Sequence, residues 1–569
     1  MPNRRQLLFL TILLLGCIAY LPYIVGGGSF MIDDLMMIVQ SHFDKSVWKT
    51  FVFWNTLGGG GMRPLGSTFF ALTPPLFGTN PVPYILLNTA CWIAAIVLVS
   101  RVVKDYCGES AALWFIILGI IPTIASSTIF EPIVMIIGSS STLFWALSLW
   151  NLQEYLKGKK TLNLILTYVL VIIGLLIYEV SAPLLLITAL LPLLPVLTKH
   201  RWSESFVRRE TLRYGAPVAI IIVTLALFQK LIVPLYGLSL SRLSARPLGD
   251  MARSFGRWLF SVGVDAPIML ISSFTHYGAG LLLRWDWWLL IVAVVAFVFL
   301  LRRTASELIV SDKPKNEQRL FLLMIVLTLL GCSALSVFSG FNMRVEGIEN
   351  RFLGSTWILL SILLGVAFAR LQHGFGVIVP ALVVIMTYFS FMIQAQNYLA
   401  NRHLQEAVIN DSFAKLQAAQ IPAGAFIIGN VPIYANENFN NEVVFAYRHD
   451  FGGQLKMRFD SKTLIDEGQV VNVNREAPTN DTTRFFLSRD RDTVMTGNLT
   501  GVMKRPLNGN VWWYEYDQYT QASRLVRLRD SLHFDSIWSA NRTGNVNIAL
   551  LPVTERFRNN IKTMFGKKK

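Results

Sequence analysis

The sequence predicts an α-helical polytopic membrane protein of about eleven transmembrane helices, followed by a C-terminal α/β or α+β domain. Three observations support this fold class. The 569 residues are 53% hydrophobic and only 15% charged, whereas a typical soluble domain carries about 25% charge. The apolar residues fall into runs of about 20, long enough to cross a bilayer as a helix. After residue 394 the runs stop and short strand-like segments begin.

The composition excludes several function classes for the whole chain: a soluble enzyme, a DNA-binding protein and a secreted disulfide scaffold. Four cysteines are too few for a disulfide framework. The net charge of +16 would suggest nucleic acid in a soluble protein. In a membrane protein the same excess anchors cytoplasmic loops, so we expect no nucleic-acid partner.

The first apolar run, 6–25, directly follows Arg4 and Arg5. A signal peptide is the competing interpretation. We expect a span instead, because the run is long for a signal sequence, the glycines after it do not resemble a cleavage site, and more spans follow. The further predicted spans are 82–100, 110–127, 134–151, 162–178, 181–197, 215–235, 287–301, 320–340, 353–369 and 375–394.

Basic residues gather on alternate flanks of these spans, and the positive-inside rule makes those flanks cytoplasmic. They include Arg4, Arg5, Arg101, Lys104, Lys157, Lys199, Arg213, Arg302, Arg319 and Arg370. The prediction is a multi-pass membrane protein with a cytoplasmic N-terminus. Residues 1–394 form the transmembrane domain, with outer loops 27–81 and 237–286, and residues 395–569 form a domain on the outer side of the membrane.

The segment 258–274 is apolar enough to suggest another span. Counting it would place the basic loop 302–319 outside, against the charge rule. We therefore expect an interfacial or re-entrant piece, whose neighbouring arginines suit lipid headgroups or phosphates. In the tail, residues 401–416 are typical of a helix, and 425–430, 443–447, 483–488 and 511–516 are typical of strands.

The most informative polar feature is Asp33-Asp34, directly after the first span. Carboxylates beside lipid are costly, which favours a function: one acts as a general base while the other orients it or binds a metal. The alternative is that one of them caps the helix that begins here. The residues alone leave both possibilities open.

Further charged or aromatic side chains fall at other outer span ends, namely Arg63, Glu131, Tyr178, Glu179 and Arg351. Each one alone is typical of an interfacial anchor or ion pair. Because all of them are assigned to the outer side of the membrane, together they predict an outward-facing cavity lined by carboxylates and arginines. Lys230 lies within the seventh predicted span, where it either snorkels outward or meets a phosphate.

An acidic pair after span one and an Arg63-Pro64 segment before span two resemble the GT-C class of glycosyltransferases. The likeness is best to bacterial O-antigen glucosyltransferases and related arabinosyl and mannosyl transferases, over about the first 200 residues. Tyr178-Glu179 is similar to a Tyr-Gln-type motif of that class, with Glu in place of Gln.

The resemblance implies a sugar donor carried on polyprenyl phosphate at the outer face and an envelope glycan as acceptor, of the O-antigen or lipopolysaccharide type. It implies inverting displacement, with Asp33 or Asp34 as base. Arg63, Arg351 and Lys230 would bind the donor phosphate, and Glu131, Tyr178 and Glu179 the sugar or acceptor. No cofactor is required and no metal ligands are assigned, although a divalent cation is compatible with such a site. A flippase and a cytoplasmic-face donor synthase would be its pathway partners.

Two other functions fit parts of the pattern. A lipid-linked glycan flippase would place charges near mid-membrane, often with related halves, which we do not find. An O-antigen polymerase or ligase would use the arginines of the 237–286 loop.

Cysteine labelling tests the predicted topology. Single cysteines placed in the tail 395–569 should react with an impermeant maleimide in spheroplasts, because an odd number of spans puts the tail outside. A cysteine in the loop 302–319 should react only after permeabilisation. Labelling of the tail only after permeabilisation would contradict the proposed arrangement.

Overall fold

The computed structural model describes residues 4–30, 32–56, 63–199, 204–227, 247–281, 285–304, 307–339, 345, 348–371, 374–422, 424–431, 449–460, 470–472, 484–487, 493–498, 501–506, 510–517 and 520–530. This part of the chain is mostly helical, as predicted.

The helices of the described chain follow one another with short connections. They are α1 (Arg4–Val25), α2 (Ile32–Asp44), α3 (Val47–Thr56), α4 (Pro64–Phe77), α5 (Pro81–Cys107), α6 (Glu109–Gly119), α7 (Ser127–Phe130), α8 (Ile136–Gly158), α9 (Thr161–Ile177), α10 (Leu185–Leu190), α11 (Leu194–Lys199), α12 (Glu204–Leu227), α13 (Leu248–Phe260), α14 (Ala266–Leu281), α15 (Trp285–Thr304), α16 (Lys315–Ser339), α17 (Gly354–Leu371), α18 (Ile378–Ala418) and α19 (Gln454–Phe459). The strands are β1 (Phe426–Asn430), β2 (Val470–Asn472), β3 (Arg484–Leu487), β4 (Thr493–Asn498), β5 (Gly501–Pro506), β6 (Val511–Tyr516) and β7 (Ser523–Leu528).

Six helices in the described residues are long and apolar enough to cross a membrane. They are Arg4–Val25, Pro81–Cys107, Trp287–Thr304, Lys315–Ala334, Asn350–Leu371 and Ile378–Ala418. Large apolar side chains point outward from them, such as Phe9 and Leu13 of α1, which suits lipid contact rather than water. The chain is therefore a membrane-embedded polytopic protein, and the count of eleven spans stays a prediction.

Two predicted spans are interrupted in the structure. The segment 110–127 contains α6, which ends at Gly119, and then a 3-10 turn at Thr123–Ala125. The segment 181–197 is divided among the 3-10 turn Glu179–Leu184, α10, another 3-10 turn and α11. Prolines explain both breaks, because Pro122, Pro183 and Pro192 cannot donate the backbone hydrogen bond that continues a helix. Hydropathy sums do not detect such breaks.

The basic N-terminal end of α1 contacts other helix ends that are predicted to be cytoplasmic. Arg4 lies 3.1 Å from Glu307, and Arg5 lies 3.9 Å from Glu109. Glu109 also pairs with Lys104, at 3.5 Å. The ends of α1, α5, α6 and the segment after α15 therefore lie together, as expected if they share one side.

The ambiguous segment 258–274 is helical throughout. Helix α13 continues through a π-helical turn at Ser261–Asp265 into α14. Helix α13 packs on α16 and α14 packs on α18, with the Ser273 and Ser390 hydroxyl oxygens 3.0 Å apart. Leu248 and Leu259 of α13 are exposed. Whether this segment crosses the membrane stays a prediction.

The last apolar helix extends far beyond its predicted end. The predicted span 375–394 and the predicted helix 401–416 belong to one continuous helix, α18, of 41 residues. After it, the strands form a mixed sheet in the order β2-β1-β6-β7 and an antiparallel sheet β3-β4-β5. Strand β1 is parallel to both β2 and β6, and β6 is antiparallel to β7. The predicted strands 425–430, 483–488 and 511–516 are confirmed, and 443–447 lies outside the described residues.

The end of α18 packs on the mixed sheet and forms a second hydrophobic core. Val408 and Leu416 of the helix meet Ile427 of β1 and Tyr514 of β6 there. The Tyr514 hydroxyl donates to Asp411 at 2.8 Å. Burial and then the Asp411 carboxylate raise the pKa of Tyr514, so this hydroxyl stays protonated. The same helix thus contributes to the apolar bundle and to the sheet region.

Close helix packing in the bundle depends on Gly365 of α17. A Cβ at this position would lie 2.8 Å from the carbonyl oxygen of Ala111 and 2.9 Å from the amide nitrogen of Phe115, both in α6. Small residues allow such approaches between membrane helices, where packing rather than hydrophobicity drives association. The Trp114 and Phe368 rings meet edge-on across the same interface, with centroids 5.5 Å apart.

Gly365→Ala should destabilise the protein, because the added methyl group meets backbone atoms that cannot move aside. Overpacking of this kind costs about 1–3 kcal/mol. Gly331→Ala in α16 is the matched control, since nothing lies within 4 Å of a Cβ there and alanine is the better helix former. Thermal unfolding in detergent should give a lower midpoint for Gly365→Ala than for Gly331→Ala. Equal midpoints would contradict the packing argument.

Candidate functional site

Asp34 is fully buried at the start of α2. One oxygen of its carboxylate accepts hydrogen bonds from the backbone N–H groups of Ile133 and Val134, each at 2.9 Å. These groups belong to the turn that follows α7. Because α2 begins at Ile32, Asp34 lies in the first turn of the helix, and this carboxylate oxygen binds the turn after α7. Asp34 therefore anchors α2 to the turn that carries Glu131.

Asp33 precedes Asp34 in the first turn of α2. The position of its side chain lies outside the described part of the structure. The same holds for Lys230, whose whole segment is outside the described residues.

Arg63 and Glu179 form a two-pronged ion pair. Arg63 Nε donates to Glu179 Oε2 at 2.8 Å, and Nη2 donates to Oε1. The guanidinium also lies over the Tyr178 ring, 4.4 Å from its centroid. Such stacking and forked hydrogen bonding suit arginine and not lysine. Arg63 and the Tyr178-Glu179 pair, which the sequence places in different loops, therefore form one cluster.

A close approach between α4 and α9 brings this cluster together. Arg63 immediately precedes α4, and its carbonyl oxygen accepts from the Ser67 N–H at 2.7 Å. A Cβ at Gly66 would lie 2.5 Å from the carbonyl oxygen of Ile177, the last residue of α9. Glycine at 66 thus lets the start of α4 lie against the backbone that leads into Tyr178 and Glu179.

After α9 the chain turns into the 3-10 turn Glu179–Leu184, and two hydroxyl groups hold this turn. Ser141 of α8 donates to the Tyr178 carbonyl at 2.7 Å, and Ser355 of α17 donates to the Val180 carbonyl at 2.9 Å. These bonds satisfy backbone oxygens that the interrupted helix leaves without partners. They also fix where Glu179 emerges.

Glu131 and Arg351 form a second ion pair, buried at 2% and 15% side-chain exposure with 3.4 Å between Oε2 and Nη1. Arg351 belongs to the 3-10 turn Ile348–Leu353. The neighbouring Asn350 docks this turn on the break between α6 and α8, since its side-chain oxygen accepts from the Ser127 N–H at 2.9 Å. A buried pair of this kind is costly to break, because one charge would remain without its partner.

The two pairs are electrostatically connected. Burial lowers the pKa of the Arg63 guanidinium, but the charge of Glu179, the electrostatic effect of Tyr178 and the hydrogen bond to Glu179 together outweigh burial, so the pKa is raised above its ordinary value. The positive charge of Arg351 acts on the same pKa and lowers it. The two ion pairs are therefore close enough for the charge of Arg351 to act on Arg63.

Exposure varies across the site. The Glu179 side chain is 42% exposed and that of Arg63 is 16% exposed, whereas Asp34 is completely enclosed. Among the described residues, Nη1 of Arg63 has no hydrogen-bond partner, because Glu179 occupies only Nε and Nη2. This second edge of the guanidinium can donate to a phosphate without loss of the ion pair.

No group of three or more His, Cys, Asp or Glu side chains suited to a metal ion occurs among the described residues. The site chemistry that the described residues offer is therefore a combination of carboxylates, arginine donors and one aromatic ring.

The sequence pointed to the candidate site residues but not to the groups that hold them in place. Ser141, Ser355 and Asn350 are small polar residues within or beside apolar helices. Nothing in their local sequence distinguishes them from ordinary packing residues, since their role depends on a partner far along the chain.

Comparison with known proteins gives no match to this chain, whether with protein-family models, curated protein sequences or solved structures.

The anchoring role of Asp34 predicts a stability effect. Asp34→Ala would leave two buried N–H groups without an acceptor, at about 1–3 kcal/mol each, so thermal unfolding in detergent should occur at a clearly lower temperature. Asp34→Asn keeps an oxygen that can accept both bonds and should unfold closer to wild type. If both variants unfold like wild type, Asp34 is not an anchor.

Proposed function

We propose that this protein is an integral-membrane glycosyltransferase of the GT-C type. It moves a sugar from a polyprenyl-phosphate donor to an envelope glycan of the O-antigen or lipopolysaccharide type. One observation supports the proposal most directly. The Arg63–Glu179 ion pair, the Glu131–Arg351 ion pair and the helix that bears Asp33, which Asp34 anchors, lie in one region of the protein. Paired carboxylates and arginines near lipid are expensive to maintain, and their convergence suits an anionic, hydroxyl-rich substrate.

The position of this convergence along the bilayer supports the proposal. Helix α1 has 22 residues and a length of about 33 Å, close to the thickness of the hydrocarbon core. Arg4 and Arg5 lie at its start, and the acidic pair follows its end. The basic cluster and the candidate site are thus separated by about one bilayer. In the proposed topology, with eleven spans and a cytoplasmic N-terminus, the site opens to the periplasm of a bacterial inner membrane.

The proposed reaction is a direct displacement at the anomeric carbon of the donor sugar. The acceptor hydroxyl oxygen forms a bond to this carbon while the bond to the phosphate oxygen breaks, so the anomeric configuration inverts. Asp33 takes the proton of the hydroxyl, and the polyprenyl phosphate leaves with the bonding electron pair. We assign the base to Asp33 because the Asp34 carboxylate is enclosed and holds two backbone N–H groups.

The other residues have complementary roles. Arg63 and Arg351 stabilise the charge that develops on the leaving phosphate, an effect that is strong in a site from which water is excluded. Lys230 is assigned to the same phosphate from its sequence position alone. Glu131, Tyr178 and Glu179 hold hydroxyl groups of the sugar or acceptor, with Glu179 the most accessible of the described carboxylates in the site.

In this proposal residues 395–569 form a periplasmic domain beside the site, and the interfacial segment 258–274 contacts lipid. A synthase at the cytoplasmic face and a flippase supply the donor, because no nucleotide sugar is available outside. The alternatives are a lipid-linked glycan flippase and an O-antigen polymerase or ligase.

A transfer assay tests the proposal. The purified protein, a radiolabelled polyprenyl-phosphate sugar and a crude lipid-linked glycan fraction should yield labelled glycan. Asp33→Asn should reduce the rate by about 10²–10⁴-fold, the usual contribution of a general base. Asp312→Asn, an exposed carboxylate in the predicted inner loop, is the matched control and should transfer like wild type.

Three results would overturn this assignment. Full transfer by Asp33→Asn would exclude the proposed base. Movement of intact donor lipid across vesicles without transfer would favour a flippase. Joining of lipid-linked glycan chains without a polyprenyl-phosphate sugar would favour a polymerase or ligase.

A further inference from the structure

The turn between α1 and α2 sets how the acidic pair enters the site. Gly27 and Gly28 adopt left-handed backbone conformations, with φ of +84° and +62°, which glycine adopts without strain. The Gly28 N–H donates to the Tyr23 carbonyl at 2.9 Å. The Ser29 N–H donates to the Tyr23 hydroxyl at 3.1 Å. The start of this turn is thus fixed to α1, and Asp33 follows five residues after Gly28.

A residue far along the chain holds the other side of this turn. Arg402, in α18, donates from Nη1 to the Gly28 carbonyl at 2.9 Å and to the Gly26 carbonyl at 3.5 Å. Its Nε donates to Glu406 at 2.8 Å. A side chain at Gly27 would meet the guanidinium directly. Arg402 therefore binds two carbonyl groups while Glu406 fixes its orientation.

The far end of α2 is also held by the C-terminal part of the chain. His42 Nε2 lies 3.1 Å from Asp460 Oδ1. A Cβ at Gly453 would lie 2.8 Å from a methyl carbon of Val39, so the backbone there is in direct contact with α2. Between these two ends, Asp34 is tied to the turn after α7. The helix that carries Asp33 is thus fixed at three points, two of them from residues beyond 400.

We propose that Arg402 is a positioning residue for the acidic pair, through which α18 sets the entry of α2 into the site. The proposal rests on the proposed function, because it assigns a catalytic consequence to the placement of Asp33. Arginine suits this role since its planar fork can bind carbonyl and carboxylate oxygens at once. A lysine has a single side-chain nitrogen. It could bind one carbonyl group, but it could not also donate to Glu406 from a second nitrogen as Arg402 does.

The test combines hydrogen exchange with kinetics on the full-length protein in nanodiscs. Arg402→Ala should increase amide exchange in residues 32–38 at least tenfold. It should also lower kcat by about 10²-fold with little change in KM, since a misplacement of about 1 Å is enough for such a loss. Arg402→Lys should give intermediate values for both measurements. Arg524→Ala is the matched control, because Arg524 also pairs with a glutamate, Glu515 at 2.7 Å, but lies on β7.

The outcomes separate the two proposals. Two results would overturn the positioning role. In one, the amides of α2 in Arg402→Ala exchange at the wild-type rate; in the other, they exchange faster but kcat is unchanged. If Arg402→Ala unfolds, the same criteria apply to Arg402→Lys. If the wild-type protein transfers no sugar, the proposed function fails, and with it the catalytic consequence of Arg402. The exchange of α2 would then still show whether Arg402 holds the helix.

Discussion

The carboxylate of Asp34 connects the parts of the site, because it binds two backbone N–H groups in the turn between α7 and α8. That turn follows the short helix α7, which comes after the end of α6 near Pro122, and it carries Glu131 into its ion pair with Arg351. A helix break in an apolar bundle exposes backbone groups that lipid cannot satisfy. The protein satisfies them with side chains, and the same side chains bring the charged residues of the site together.

The second break, after α9, follows the same rule. Hydroxyl groups of Ser141 and Ser355 bind its carbonyls, and Glu179 emerges from it beside Arg63. Both glutamates therefore lie at interrupted helices, and both are neutralised by an arginine from another segment. Because burial makes an isolated charge very costly, this pairing is the condition for keeping four charges beside a membrane. In the proposed function, an anionic substrate would be recognised through donors that the described ion pairs leave unused, such as Nη1 of Arg63.

The C-terminal part of the chain takes part in this arrangement through α18. One continuous helix links the apolar bundle, the Arg402 contact with the Gly26–Gly28 turn and the core that Tyr514 shares with Val408. The hydropathy pattern predicted a span and a separate helix instead, since it changes from apolar to polar near residue 395. Polarity determines where a helix meets water, but it does not require the helix to end there.

The sequence by itself determined that the chain is membrane-embedded, and it identified three strands and the charged residues of the candidate site. These follow from local composition, because hydropathy, proline content and β-propensity belong to a segment whatever surrounds it. Only the tertiary structure decided that Arg63 pairs with Glu179, 116 residues away, and Arg351 with Glu131, 220 residues away. It also decided that Asp34 is an anchor. Those assignments depend on which helix ends meet. Contacts such as Gly66 against Ile177 and Gly365 against α6 determine this, because glycine has no side chain and lets the two backbones approach closely.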